Sequence, residues 1–205
     1  MARKVRFGLA NTKYALWNSE TSTYGTAKSL PWAVALTLST EGGDGSDFYA
    51  DNGICYSFAG TNGGYSGDLE LSNVPDSVRV DLLGEVMDET TGVQIEVTEA
   101  EPPEFALITE MLTDEGPIGF AFYNCKASRT EINANTKNDN PDVDTESIPL
   151  RIASREIVYN EKNQHAVQGH IQKTSTNASL YSAFFEGVVL PGTIASESGA
   201  SGISA

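Results

Sequence analysis

The sequence predicts a mainly β protein, an antiparallel β-sandwich or barrel with one short flanking α-helix. Two observations carry this prediction. Apolar residues recur with a period of two over most of the chain, as expected for strands with one buried face. Gly, Asn and Pro clusters separate these segments, and only one segment has a helical pattern.

The first clear strand shows why alternation matters here. The residues expected to face the core are Trp32, Val34, Leu36 and Leu38. The intervening residues are small and uncharged, so they would form a smooth exposed face; they are Ala33, Ala35, Thr37 and Ser39. Further strands are predicted at 65–73, 93–97, 105–112, 120–130, 147–155 and 167–174.

The helix is predicted over residues 75–83. Pro75 suits a first turn, and Asp76 is favourable at the N-terminal end of the helix dipole. Val78, Leu82 and Leu83 share an apolar face. Gly84 can end the helix.

The domain organisation is simple. Residues 1–192 are predicted to form one domain, followed by a disordered Ser/Gly/Ala-rich tail at 193–205. Two connections are longer than a hairpin needs, at 41–53 and 133–145, and long loops on a compact domain commonly make contacts.

The negative net charge of the chain disfavours several functions. The chain carries 13 basic and 28 acidic residues, a net charge of −15, and 18 of the acids lie between residues 41 and 120. Such a surface repels phosphate, so DNA or RNA binding and anionic membranes are disfavoured. The acidic block is interpreted either as a solvated face or as a surface that repels polyanions or meets a basic subunit.

Catalytic and metal-binding patterns are scarce. The sequence has no Gly-x-Ser-x-Gly elbow, phosphate loop or His-Glu-x-x-His helix, so we predict no enzyme activity and no cofactor. The acidic loops lack the ligand spacing of an EF-hand, and a solvated loop is the favoured interpretation.

Five short segments of the chain are informative as a set and in their order. They are Val5-Arg-Phe-Gly-Leu-Ala-Asn-Thr-Lys-Tyr14, Tyr24-Gly-Thr26, Phe48-Tyr-Ala-Asp51, Gly64-Tyr-Ser-Gly-Asp-Leu-Glu-Leu71 and Tyr123-Asn-Cys-Lys-Ala-Ser-Arg129. With these segments in this order, the sequence resembles the major tail proteins of long-tailed, non-contractile bacteriophages, the siphophages, and the resemblance covers roughly residues 4–192.

The resemblance implies the phage tail tube fold and a structural role in the virion. Subunits of this type form rings of six that stack into a hollow tube, through which double-stranded DNA passes without specific binding. The implied partners are other copies of the chain and further tail proteins, namely the tape measure, tail tip and tail terminator. Assembly is expected in the host cytoplasm.

Three groups of residues are candidates for contacts in such a tube. A ring-stacking or lumen loop would contain Glu41, Asp44, Asp47, Phe48, Tyr49 and Asp51. A lumen-facing strand would present Ala33, Ala35, Thr37 and Ser39. A second contact loop would contain Lys137, Asp139, Asp142 and Asp144.

Two alternatives remain open at this stage. A carbohydrate-binding β-sandwich could use Trp17, Trp32 and tyrosines as stacking platforms, and it would need aromatic side chains on one exposed face. A tail-completion or baseplate subunit would form one ring and no polymer.

Overall fold

A computed structural model describes residues 5–132 and 144–191. Its centre is a nine-stranded sheet in which the pairing of neighbouring strands is antiparallel. The prediction of a mainly antiparallel β protein is confirmed, and among the described residues the sheet does not close into a barrel.

The strand bounds are as follows. The strands of the main sheet are β1 (Arg6–Asn18), β2 (Thr23–Tyr24), β3 (Lys28–Ser29), β4 (Ala33–Glu41), β7 (Gly64–Leu71), β10 (Phe105–Thr113), β11 (Ile118–Ala127), β12 (Glu146–Ala153) and β15 (Gln168–Gln172). Along the sheet they follow the order β2-β1-β10-β11-β12-β7-β4, with β3 beside β1 and β15 beside β11. Six further strands form two-stranded hairpins: β5 (Ser46–Ala50) with β6 (Gly53–Phe58), β8 (Val86–Met87) with β9 (Gln94–Ile95), and β13 (Arg155–Tyr159) with β14 (Lys162–Ala166).

Strand β1 is the longest strand of the sheet, and sequence alternation did not predict it. Its register against β10 shifts twice, between Arg6 and Leu9 and between Ala10 and Lys13. Asn11 has a positive φ of 47° within the second irregularity. Each bulge adds a residue and moves the following side chains to the opposite face, so no continuous period of two exists to be recognised.

Strand β11 organises the sheet because its two halves have different partners. Its first half pairs with β15 from Ile118 to Phe122, and its second half pairs with β12 from Asn124 to Ala127. Along its other edge, β11 pairs with β10 from Ile118 to Cys125. The sheet therefore forks at β11.

Helix α1 confirms the predicted helix at 75–83. It begins as an α-helical turn at Asp76–Val78 and continues as a π-helical turn at Arg79–Leu83. Gly84 follows in the left-handed conformation with φ 74°, which glycine adopts without a steric penalty. Val78, Leu82 and Leu83 are buried against the sheet.

A second helix, α2 (Ala178–Glu186), was not predicted. Its aromatic residues Tyr181, Phe184 and Phe185 form a separate core cluster with Ile108, Ala121 and Tyr123. The larger cluster contains the α1 residues and inward side chains of β7, β10 and β12. Each helix thus anchors a core cluster against the sheet.

Candidate functional site

The predicted loop at 41–53 is largely a β-hairpin. Strand β4 extends to Glu41, and β5 and β6 then project beyond the β4–β7 pair. The turn at its tip consists of Asp51 and Asn52, whose φ angles of 49° and 61° are typical of a tight hairpin turn. We call residues 44–60 the arm.

The arm joins the domain through a neck of closely approaching backbones. Gly63 donates from its backbone N to the Glu41 carbonyl at 2.7 Å, and Thr61 donates to Gly43 at 3.0 Å. At Gly42, which has φ 149°, an added Cβ would lie 1.9 Å from the Thr61 carbonyl oxygen. Only glycine fits there, because any side chain would force the two strands apart.

Every residue in both arm strands is exposed. Phe48 pairs with Tyr56, and Tyr56 packs edge-on against Phe58 with their ring centroids 4.8 Å apart, so these three aromatic residues share one face. A bulge after Phe48 leaves Tyr49 paired with Ile54. Exposed fractions of these five side chains lie between 57% and 63%.

Such a hairpin gains little stability from its own contacts. Two strands without a third strand or a packed helix are marginally stable in water. Large apolar side chains exposed as one patch commonly mark an interaction surface. The arm therefore has the properties of a contact element whose partner lies outside the subunit.

The candidates in the predicted loop fall at different places on this element. Glu41 lies at the end of β4 and accepts a hydrogen bond from Ser66. Asp47 accepts a hydrogen bond from Ser57 at 2.6 Å across the arm. Asp44 is exposed near the neck and Asp51 is exposed at the tip.

The prediction for β4 requires two corrections, because Ala33 packs on the core and Val34, which was expected to face the core, is 51% exposed. A bulge between Ala33 and Ala35 shifts the register against β7, and Ala33 packs on the core cluster. The other three residues, Ala35, Thr37 and Ser39, remain on the outer face, since Leu36 and Leu38 pack against the core. Their partners on β7 are Glu70, Asp68 and Ser66.

These pairings bring together small neutral residues and two carboxylates on one face. We call Ala35, Thr37, Ser39, Ser66, Asp68 and Glu70 the outer face of β4–β7. On the neighbouring β12 strand, Arg151 pairs with Ser66. The sequence predicted that Asp68 and Glu70 share a face, and the register adds that this face also carries the β4 residues.

Trp32 is not buried, contrary to the prediction. Its side chain is 62% exposed, and its φ of 63° places it in a turn immediately before β4. The Trp32 carbonyl accepts a hydrogen bond from Ser72 N at 3.0 Å. Alternation along β4 does not extend back through this turn because its backbone is not extended.

The Trp17 ring is covered by two side chains of its own subunit. The guanidinium of Arg155 lies over its ring, and Tyr24 packs edge-on against it with ring centroids 4.8 Å apart. Arg155 donates to Glu104 at 2.6 Å, and this hydrogen bond and charge lower the pKa of the Glu104 carboxyl. This covering of Trp17 argues against its use as a sugar-stacking platform.

Most of the second predicted contact loop, including Lys137, Asp139 and Asp142, lies outside the described residues. Asp144 is exposed just before β12. Within 5–132 and 144–191, no group of three or more His, Cys, Asp or Glu side chains is arranged to hold a metal ion. None of the helices in those ranges is long and apolar enough to cross a bilayer.

Grooves flank Trp17 on two sides. Their volumes are about 460 and 470 Å³, and both include Ser22 and Leu190 in their walls. Neither lining contains a histidine or cysteine to serve as a base or nucleophile. The candidate functional sites are therefore two surfaces, the apolar arm and the outer face of β4–β7.

An uncovered apolar arm on a β-subunit is typical of proteins that assemble with other subunits. The sequence model of one family, described as phage tail tube protein, matches residues 40–193, about three quarters of the chain. The chain belongs to the phage tail tube protein family, which is structural rather than enzymatic. The comparison with curated proteins found no match.

The family match confirms the resemblance to phage tail tube proteins. It begins at the end of β4 and covers the arm, both helices and the rest of the described sheet. Strands β1 to β3 precede the matched region, although all three belong to the same nine-stranded sheet. Membership identifies the protein as a component of the virion that assembles with other tail proteins.

Proposed function

We propose that this protein is the major tail tube subunit of a siphophage, and that it forms rings of six which stack into a hollow tube. The single observation that carries the proposal is the arm, a hairpin whose residues are all exposed, in a chain that belongs to the tail tube family. The tape measure, tail tip and terminator proteins are the further proposed partners.

In this proposal the arm reaches the neighbouring ring. Burying one large apolar side chain contributes about 1.5–3 kcal/mol, so covering the aromatic face would supply substantial association energy. A carbohydrate-binding module would also need aromatic side chains on one exposed face, and the arm has such a face. Family membership favours contact with protein, because the family is structural.

The outer face of β4–β7 is the proposed channel wall. Its β4 residues are small and uncharged, and Asp68 and Glu70 place carboxylates beside them. The two carboxylates of such a wall repel phosphate, and none of its six residues is a lysine or an arginine that could hold one. The duplex would then pass during genome ejection without specific binding.

The first experiment removes the arm. Replacing residues 44–60 by Asn-Gly leaves Gly43 and Thr61, which already pair, joined by a two-residue turn. The domain should keep its cooperative melting transition, because no arm strand contributes to the described core clusters. Electron microscopy should show rings or monomers in place of tubes.

A matched pair of point variants tests the aromatic face. Tyr56→Thr with Phe58→Thr should abolish tube growth, because Thr keeps the preference for extended backbone but removes the apolar contact. The control is Val158→Thr with Tyr159→Thr, which makes a similar change on the β13–β14 hairpin and should leave tubes unaffected. Tubes of normal length from the arm variant would contradict the assignment.

The single-ring alternative has a different outcome. A tail-completion or baseplate subunit would give closed rings at every concentration of the intact chain, with no stacking. Sedimentation velocity over a range of concentrations separates the two, because a tube lengthens as concentration rises and a single ring does not.

A further inference from the structure

A second exposed apolar surface lies on the β8–β9 hairpin, far from the arm in sequence. Val86 pairs with Ile95, so these two residues share a face, and Val93 lies two residues before Ile95. The adjacent Gln94 donates to the Asp76 carbonyl at 3.2 Å, which turns its side of the hairpin towards α1. Val86, Val93 and Ile95 are 50–55% exposed, and we call them the β8–β9 patch.

Acidic residues surround this patch. Residues 85–101 contain six acids and no base: Glu85, Asp88, Glu89, Glu96, Glu99 and Glu101. Glu85 and Glu96 form ion pairs with Arg79 and Arg129. The loop carrying Glu99 and Glu101 lies at the base of the hairpin, where a Cβ on Gly84 would be 3.2 Å from that of Ala100.

The N-terminal end of the chain has the opposite character. Residues 1–7 contain three bases, Arg3, Lys4 and Arg6, and no acid. Val5 and Phe7 in the same segment are 53% and 56% exposed. A basic segment with two uncovered apolar side chains complements an apolar patch with an acidic surround in both charge and hydrophobicity.

The two surfaces lie at opposite ends of β11. Val5 donates from its backbone N to Asp114 at 3.1 Å, close to where β11 begins at Ile118. The patch is tied to the other end, because Glu96 pairs with Arg129 just beyond Ala127. A strand of 10 residues spans about 30 Å, and four residues reach at most about 14 Å.

The N-terminal segment therefore cannot reach the patch of its own subunit. We propose that the β8–β9 patch binds the N-terminal segment of a second copy of this chain. Different complementary surfaces at the two ends of a subunit produce a head-to-tail, open-ended contact. The inference rests on the proposed tube and names a contact within it that is separate from the arm.

Charge reversal with restoration tests the pairing. The patch variant is Glu99→Lys with Glu101→Lys, and the segment variant is Arg3→Glu with Lys4→Glu. Each alone should raise the protein concentration needed for assembly by about tenfold or more, because like charges then face each other. All four substitutions in one chain should restore assembly towards the wild-type concentration.

The control variant is Glu20→Lys with Glu161→Lys, which makes the same charge change at exposed turns and should assemble as wild type does. Melting curves establish that each variant is folded. The inference is overturned if the patch variant assembles like this control, or if the fourfold variant gains nothing over the single-surface variants.

Mixing the two single-surface variants gives a readout that does not depend on tubes. The Lys-bearing patch of one should accept the Glu-bearing segment of the other, so sedimentation at low salt should show complexes absent from either protein alone. Absence of these complexes overturns the inference. Failure of the wild-type chain to form tubes, with the complexes present, instead counts against the proposed function.

Discussion

The guanidinium carbon of Arg155 lies 3.9 Å from the centre of the Trp17 ring, stacking the first residue of β13 on the end of β1. Only 12% of the Arg155 side chain is exposed, and its Nη2 donates to Glu104 and to Asn124. This contact fixes the β13–β14 hairpin to the main sheet. It depends on Glu104 to balance a largely buried positive charge.

Replacing Glu104 should therefore destabilise the fold. Glu104→Gln keeps an oxygen acceptor but removes the negative charge, and we expect the free energy of unfolding at neutral pH to fall by about 1–2 kcal/mol, reduced from a fully buried pair because Glu104 is one-third exposed. Urea denaturation measures this. Glu20→Gln at an exposed turn is the control and should be nearly neutral.

The same pair predicts the pH dependence. The folded-state pKa of Glu104 is lowered below its ordinary value of 4.5, first by the hydrogen bond from Arg155. The ionised Glu104 carboxylate thus makes its full contribution to the free energy of unfolding above pH 4.5. That contribution is lost as the pH falls through the lower pKa of the folded state. The stability difference between wild type and Glu104→Gln should narrow in acid, and a difference constant with pH would contradict this account.

The neck of the arm should tolerate no side chain at residue 42. In Gly42→Ala the added methyl group would meet the Thr61 carbonyl oxygen, so the neck must open and the direction of the arm must change. We expect the melting temperature to change little and tube assembly to fail. Gly187→Ala is the control, because nothing lies within 4 Å of its added Cβ and the residue belongs neither to the arm nor to the β8–β9 patch.

A native thiol reports on burial of the arm. Cys55 is exposed on β6, whereas Cys125 is buried and burial raises the pKa of its thiol to about 12. A maleimide reagent at neutral pH should therefore modify one thiol per free subunit. In assembled tubes the modification should slow strongly, and equal rates in subunits and tubes would show that the arm stays uncovered.

The channel wall can be tested by adding positive charge. Phage carrying Asp68→Lys and Glu70→Lys should eject DNA more slowly at low salt, because lysines on the outer face of β4–β7 would hold phosphates. Raising the salt from about 50 to about 200 mM should restore much of the rate. Normal ejection at low salt from normal tubes would place this face away from the channel.

Much of the fold could be predicted because its central strands are regular. Leu69 and Leu71 alternate with charged residues, and α1 carries a clear start at Pro75 and stop at Gly84. The failures share a physical cause. Bulges in β1 and at the start of β4 interrupt the period of two, so alternation assigned Ala33 to the outer face and left β1 unpredicted.

The candidate site was only partly predictable for a different reason. Phe48 and Tyr49 could be assigned to a contact loop from sequence, but Tyr56 and Phe58 complete the aromatic face from the next strand. A hairpin that projects from the domain does not pack its apolar face against the core of its own subunit. Its apolar residues therefore look like core residues until the register and exposure of both strands are known.

The central claim is that the subunit polymerises into a hollow tube, and electron microscopy of the concentrated, intact protein tests it most directly. The account predicts stacked rings with six-fold symmetry and a continuous channel, lengthening with concentration or on addition of tail tips. A protein that stays monomeric at every concentration, and that also fails to enter tails when supplied to tail-deficient phage, would contradict the account.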